Sequence, residues 1–293
     1  MSNRESSHQS GHESDVAPLE AGIMSGGLEL RLARTEEEVR ALQRLRYRVF
    51  YEEMNATPIG TMAAEGRDFD DFDTICDHLI VRDPKREGEA SIVGTYRLLR
   101  RSVAEQHGRF YTTGEYDIAK LLSVEGELVE LGRSCVDPNY RAGGAITALL
   151  RGLGTYADRY DIRIMFGCAS LHGTDPDDLA LPLSYLSYYR AAPDALRPRA
   201  LDDLYVGMER LPAEAVDEAR GWASLPPLIK GYVRAGCRFG DGAVIDRQFN
   251  TTDVCVVLDV STVNDRYSKR YRDLEGGGGG EDGDMAMDGH GGG

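Results

Sequence analysis

Residues 127–146, ELVELGRSCVDPNYRAGGAI, constrain the fold more than any other stretch of the chain. An apolar strand over 128–136 breaks at a Pro-containing turn. At Arg141, Gly143 and Gly144 it gives way to a helix over 144–160, with Ile146, Leu149, Leu150, Leu153 and Tyr156 along one side. Glycine lets a ligand approach the backbone closely. The free N–H groups of a first helical turn, together with the helix dipole, favour an anion. The segment therefore reads either as an ordinary strand–turn–helix or as one that holds a phosphate.

The flanking segments set the architecture. Leu28–Ala33 alternates as a strand does, and Thr35 caps a helix whose first turn carries Glu36, Glu37 and Glu38 and which runs to about Glu53. Further strands are expected over 77–82, 92–99, 163–169 and 254–260, and helices over 177–190 and 226–234. This alternation predicts an α/β (α+β) sandwich. The hairpin-like run of strands 77–82, 92–99 and 128–136 makes its central sheet mixed and largely antiparallel, flanked by helices. One domain is expected over 28–272, with 212–272 as a C-terminal addition. The polar or Gly-rich segments 1–27 and 273–293 read as disordered tails.

The formal net charge is −15, of which Met1–Glu20 contributes −3 and Gly276–Gly293 contributes −4. An acidic balance argues against a nucleic-acid partner. No stretch approaches the roughly 18–20 apolar residues of a bilayer span, and the first residues lack a signal-peptide pattern, so a cytoplasmic protein is expected. The five cysteines form no C-x-x-C pair and the six histidines show no ligand spacing, so we expect free thiols and no metal.

Several motifs carry a family resemblance. Arg141-Ala-Gly-Gly144-Ala-Ile146 resembles the R/Q-x-x-G-x-G/A signature of the GCN5-related acetyltransferase superfamily, with Ile146 at the final small position. Arg46 and Phe50 (R-x-x-x-F), Asp70 and Asp73 (D-x-x-D), the strand arginine Arg97, and Glu130 and Arg133 (E-x-x-R) follow one another as in the acyl-homoserine-lactone synthases, with Tyr51 where those carry tryptophan. The longer wording, LRYRVFYEEM, GTYRLL, ELGRSCVDPNYR, GCASLHGTDP and LPPLIKGYVRAGCRFGDGAVID, is similar to the ornithine–acyl carrier protein N-acyltransferases over about residues 28–272. The resemblance implies an acetyltransferase-like fold and transfer of a 3-hydroxy fatty acyl group from acyl carrier protein to the α-amine of ornithine. The product would be lyso-ornithine lipid, and no permanently bound cofactor would be needed beyond the donor's acyl-phosphopantetheine arm. An amphiphilic product also implies transient contact with the inner membrane surface.

Roles follow from the chemistry. An amino acid's ammonium must lose a proton before it attacks, and Glu130 is the candidate base. The tetrahedral oxyanion needs backbone N–H donors, expected at about Ser134–Val136. Glu130 and Arg133 would face opposite ways on a regular strand, so a bulge at Gly132 is expected to bring both to one face. Asp70 and Asp73 would attract the substrate's cationic groups. Arg46, Arg97 and Arg133 would either hold its carboxylate or lock those acids in place. Phe50 completes the acceptor site or packs in the core. Val136, Arg141, Gly143 and Gly144 are assigned to the phosphopantetheine arm. Tyr185, Tyr188 and Tyr189 are alternative proton donors, and Asp246 and Asp253 could cap or bind. Competing readings are N-acylation of another amino acid, acyl-homoserine-lactone synthesis, and a non-catalytic acyl- or coenzyme A-binding module.

Overall fold

The computed structural model describes residues 19–263 apart from Gly143. Among the described residues, ten strands and eight α-helices alternate: β1 (Ile23–Ser25), β2 (Leu28–Leu32), α1 (Glu36–Tyr47), α2 (Met62–Glu65), β3 (Asp77–Arg82), β4 (Ile92–Arg100), α3 (Arg101–His107), β5 (Tyr116–Asp117), α4 (Ala119–Leu122), β6 (Glu127–Val136), α5 (Ala145–Tyr160), β7 (Ile162–His172), α6 (Ala180–Arg190), β8 (Arg199–Ala200), α7 (Glu218–Ser224), α8 (Pro227–Ala235), β9 (Arg238–Asp246) and β10 (Thr251–Asp259). The strands form one sheet in the order β1-β2-β3-β4-β6-β7-β10-β9-β8-β5. Its pairs are antiparallel except β6–β7 and β8–β9.

The chain enters this sheet earlier than expected. Residues 19–27 are ordered by packing rather than forming part of a tail: Leu19 and Ile23 are buried, and β1 folds back on β2 through Gly26-Gly27. Both glycines have positive φ, the conformation a two-residue hairpin turn requires. Residues 1–18 and the expected tail 273–293 lie outside the described residues, as do residues 264–272 at the end of the expected domain. The stretch beyond Pro212 is no appendage either. Its β10 lies between β7 and β9 and pairs with β7 along its whole length.

Helix α1 begins as its sequence requires, with the Thr35 hydroxyl accepting the Glu38 N–H. Its C-terminal extension, Arg48–Glu53, widens into a π-helical turn rather than continuing as α-helix, as helices often do at functional sites. The two faces of the sheet carry different cores. On one, which we call the rear, α5 packs through Ala148, Leu149, Leu153 and Tyr156 against Leu79, Tyr96, Leu98 and Val129. On the front, Leu99, Leu128, Phe166, Cys255 and Val257 pack beneath Phe110 and Tyr116, while α1 covers Ile80 and Cys135.

The feature that creates the site is the parallel pair β6–β7. These strands pair only from Glu127–Ile162 to Glu130–Phe166, and beyond that β6 stays with β4 while β7 stays with β10. At the point of divergence Gly167 lies so close to β6 that a Cβ there would meet the Leu131 carbonyl oxygen. The wedge that opens beyond it is a cleft through the sheet.

Candidate active site

The cleft has a volume of about 450 Å³ and is lined by β6 from Glu130 to Val136 on one side and by Cys168, Ala169 and Ser170 of β7 on the other. At its rear it meets Ile146, Leu149 and Leu150 of α5 and the start of α8. At its front it meets Phe50, Tyr111, Glu115, Asp246, Phe249 and Asp253.

The expected bulge is present, one residue further along. Gly132 pairs in register with Arg97 and Cys135 with Thr95, so Arg133 and Ser134 together oppose Tyr96. Arg133, not Gly132, adopts the left-handed conformation, with φ +50°. The parity flips as argued. Tyr111 joins the two side chains on the front face: its backbone N–H donates to Glu130 Oε2 at 2.8 Å, and its hydroxyl accepts from Arg133 Nη2 at 3.4 Å. The Arg133 guanidinium sits over the Tyr111 and Phe249 rings, 5.0 and 4.7 Å from their centroids.

Glu130 is buried in the cleft wall. Besides Tyr111, the Thr112 N–H donates to its Oε1 at 2.5 Å. Burial pushes its carboxyl above the ordinary value, against the opposing pull of these donors. Each oxygen accepts one N–H, and the Thr112 side chain adds a third hydrogen bond, which still leaves acceptor capacity on the carboxylate.

The charged motifs upstream divide. Arg46 is fully buried, with its Nη1 and Nη2 donating to Asp73 at 2.9 and 2.6 Å and its Nε 2.7 Å from Asp68 Oδ2. Asp73 also accepts from Gln43 at 3.0 Å and pairs with Arg97 at 3.1 Å. Burial alone would raise Asp68 and Asp73, but the Arg46 guanidinium, joined by Arg133 at Asp68 and by Arg97 at Asp73, holds both below the carboxylate range. Asp70 accepts from the Phe72 N–H, and Asp73 accepts from the Asp70 N–H at 3.4 Å. The D-x-x-D motif is thus the capping box of a 3₁₀ turn, Asp71–Thr74. Asp70 also pairs with Arg97 at 2.6 Å and Arg133 at 3.4 Å.

Arg46, Asp70 and Asp73 do not line this cleft; Arg46 locks Asp73 in place, the second of the two roles expected of it, and the acids expected to attract the substrate's cationic groups are paired with arginines. Their charges are spent on one another, and the network holds Arg97 and Arg133, which do line the cleft. His78 is buried behind this network, with its Nε2 2.9 Å from the Asp73 carbonyl oxygen.

Of the donor-side residues, Val136 lines the cleft, and so does Arg141, whose guanidinium is paired with both oxygens of Glu53 at 2.5 and 2.7 Å. Gly144, with φ +87°, starts α5 and offers no side chain to its first turn, leaving those N–H groups uncapped. Gly143 lies outside the described residues. The α6 tyrosines are placed elsewhere. Tyr185 accepts from Arg190, while Tyr188 and Tyr189 donate to the Leu211 and Val216 carbonyls, and none lines the cleft. The tyrosines that do are Tyr111 at the front and, at the rear, Tyr96 and Tyr232, whose hydroxyls are 2.5 Å apart. Burial keeps Tyr96 protonated, pushed up to about 12.

A second acidic group was not read as one from the sequence. Glu115 follows a 3₁₀ turn, Asp246 ends β9 and Asp253 lies in β10, yet one carboxylate oxygen of each lies within 4.8 Å of the others. Burial first, and then the like charge of Asp253, raises Glu115 to about 7. Burial likewise raises Asp253 to about 6. Period-two alternation places Asp253 on the same face as Thr251 and Cys255, but Glu115, in a loop more than a hundred residues away, carries no local signal of this encounter.

Comparison with known proteins supplies a family. Residues 45–151 match the acetyltransferase (GNAT) domain family. The chain is 46% identical over 251 residues to the L-ornithine N(alpha)-acyltransferase of Brucella abortus (strain 2308), covering 84% of this chain and 89% of that one. It is 46% identical over 248 residues to the Rhizobium meliloti (strain 1021) enzyme of the same name, covering 83% and 84%. It is also 42% identical over 253 residues to that of Rhodobacter capsulatus, covering 85% and 96%. Among solved structures, a CoA-dependent acyl-homoserine lactone synthase aligns with a TM-score of 0.47 at 12% identity, over 86% of this chain and 89% of that one.

Proposed function

Since the chain belongs to the L-ornithine N(alpha)-acyltransferase family, an N-acyltransferase family of the GNAT fold, we propose that it transfers a 3-hydroxy fatty acyl group from acyl carrier protein to the α-amine of L-ornithine. The product, lyso-ornithine lipid, would begin ornithine lipid synthesis. The observation that carries this reading is the two-sided cleft. Its rear is walled by Ile146, Leu149, Leu150 and Leu228, which suit an acyl thioester arm. Its front presents Arg133, Glu130 and three further carboxylates, which suit a zwitterionic amino acid. The two meet only where β6 and β7 part.

In this reading the phosphopantetheine phosphate lies at the uncapped start of α5, and the thioester carbonyl accepts from backbone N–H groups at the Arg133–Val136 bulge. Arg133, whose guanidinium lies against the Tyr111 and Phe249 rings, binds the amino acid's carboxylate through the N–H groups that Asp68 and Asp70 leave free. Glu130 takes the ammonium proton through the lone pairs its backbone donors leave free. The amine nitrogen then attacks the thioester carbon, the C–S bond breaks, the departing thiolate takes a proton from the Tyr96–Tyr232 pair, and the second proton shed by the new amide nitrogen passes through solvent to restore that pair. No described helix is long and apolar enough to cross a membrane, so the amphiphilic product would be delivered by transient contact at the membrane surface.

A mass-spectrometric assay tests the reading. Purified protein receives 3-hydroxyacyl carrier protein and an equimolar mixture of amino acids. N-acyl-ornithine should dominate. Glu130→Gln should lower kcat by about 10²–10⁴-fold, because the amide cannot accept the proton. Another acyl-amino acid as main product would overturn the ornithine assignment, and no acylated product would overturn transfer itself.

A further inference from the structure

The carboxylates Glu115, Asp246 and Asp253 have no part in the transfer chemistry described above, and none of them forms an ion pair among the described residues. Of the guanidiniums around the cleft, Arg97 pairs with Asp70 and Asp73 and Arg141 with Glu53, while Arg133, paired with Asp68 and Asp70, acts on Glu115 and Asp253 only weakly, from a longer distance. Three acids brought within 4.8 Å of one another in a cleft wall, with no ion-pair partner of their own, repel. Each keeps unused acceptor capacity. Asp246 gives Oδ1 to the Gln248 and Phe249 N–H groups at 2.8 and 3.0 Å. Glu115 accepts the Cys168 thiol on Oε2 at 3.2 Å. Asp253 is only 6% exposed; the Ser170 and Thr251 side chains interact with its carboxylate, but its Oδ1 has no partner in good hydrogen-bond geometry.

An independent observation points the same way. The Thr251 hydroxyl, 2% exposed and also on the cleft wall, interacts with the Asp253 carboxylate and has no other neighbour in good hydrogen-bond geometry. Buried polar atoms in native proteins are rarely left unpaired unless a ligand or water completes them.

We infer that Glu115, Asp246 and Asp253 form the socket for the second, side-chain ammonium of a diamino acid, and so determine both the acceptor and which of its two amines reacts. The inference rests on the acyltransferase reading above and deepens it. Three acceptors around a tetrahedral nitrogen, each at about 2.8–3.0 Å, stand about 4.6–4.9 Å apart, and the three carboxylate oxygens, all within 4.8 Å of one another, are close enough together to share one such nitrogen. The sign of the field decides which amine sits there. A cluster of anions favours the protonated form of any amine it holds. That protects an ammonium that must remain a cation and opposes the deprotonation the attacking amine requires. The socket therefore suits the amine that is not acylated, while Arg133 and Glu130, nearer the bulge, serve the amine that is.

The test compares L-ornithine with L-norvaline, which has the same carbon skeleton and no side-chain ammonium. Both are assayed with the same acyl carrier protein thioester, for wild type, Asp253→Asn and Glu115→Gln. Wild type should prefer ornithine by at least about 100-fold in kcat/KM, and each neutral variant should lower that ratio by about tenfold or more. Norvaline turnover by the variants, with their melting temperatures, reports that they fold. If a variant does not fold, the other variant and Asp246→Asn carry the comparison. If wild type acylates ornithine but the variants lose ornithine and norvaline activity in parallel, the socket is overturned while the acyltransferase reading stands. If wild type acylates neither, the ornithine reading on which the socket rests has itself failed. Calcium or magnesium alone, added to the wild type, should leave its melting temperature unmoved. A rise that disappears in Asp253→Asn would make the cluster a metal site and overturn the socket.

Discussion

Glu115 and Asp253 tie the acidic cluster to stability. With carboxyls near 7 and 6 in the folded protein, against about 4 when unfolded, the folded state binds more protons between those values. Stability therefore falls as pH rises from about 4 through 7. Asp68 and Asp73 act oppositely. They are held below the carboxylate range, so their contribution is complete above pH 4 and is lost only in stronger acid. The unliganded protein should accordingly melt at higher temperature at pH 5.5 than at pH 8. Asp253→Asn should flatten that difference and stabilise the protein at pH 8 by about 1–3 kcal/mol, which urea denaturation at both pH values would measure. A variant less stable than wild type at pH 8 would mean that the cluster is not strained. The motif residues carry the complementary lesson. Arg46, Asp70 and Asp73 are legible as chemistry in a linear sequence, but their placement makes them a scaffold for Arg97 and Arg133.

Among the elements, the β6–β7 pair matters most. The two strands must touch at Leu131–Gly167 and separate immediately afterwards, and Gly167 is the residue that permits the contact, since a Cβ would stand 2.1 Å from the Leu131 carbonyl oxygen. Gly167→Ala must push the strands apart at the head of the cleft. It should cost about 3 kcal/mol, and acylation should fall even under conditions where the variant remains folded. Far-UV circular dichroism during thermal melting, followed by the acylation assay, distinguishes this from a neutral change. Strand β6, helix α1 and helix α5 were legible because each repeats apolar residues at its own period and α1 carries a local cap. β1, β5 and β8 have three residues or fewer, too few to show a period. The bulge was legible in kind, because Glu130 and Arg133 could share a face in no other way. That Arg133 rather than Gly132 takes the left-handed conformation depends on the ion pairs and ring contacts that hold its side chain.

Across the whole molecule, the cleft divides the work between two faces of one sheet. Narrowing the rear should therefore affect one substrate and not the other. Ile146→Trp, on the α5 wall, should raise KM for the acyl donor by about tenfold, as removing or blocking one apolar contact does, with KM for ornithine within about twofold of wild type. Steady-state kinetics with each substrate varied in turn would decide it, and equal rises in both would argue against separate entrances.

The amino-acid sequence by itself determined the fold class, the strand–turn–helix at its centre and the family wording, because periodicity, caps and contiguous motifs are local properties that survive in one dimension. It also held every residue of the cleft, without saying which would meet. Only the tertiary structure decided that the D-x-x-D motif is a cap rather than a contact surface, that Tyr96 and Tyr232 replace the α6 tyrosines at the cleft, and that Glu115 joins Asp246 and Asp253. The physical reason is common to all three. Whether a charge or hydroxyl is spent on the protein or left free depends on what the fold brings within about 3 Å of it, and those partners lie on strands and loops far away in the chain.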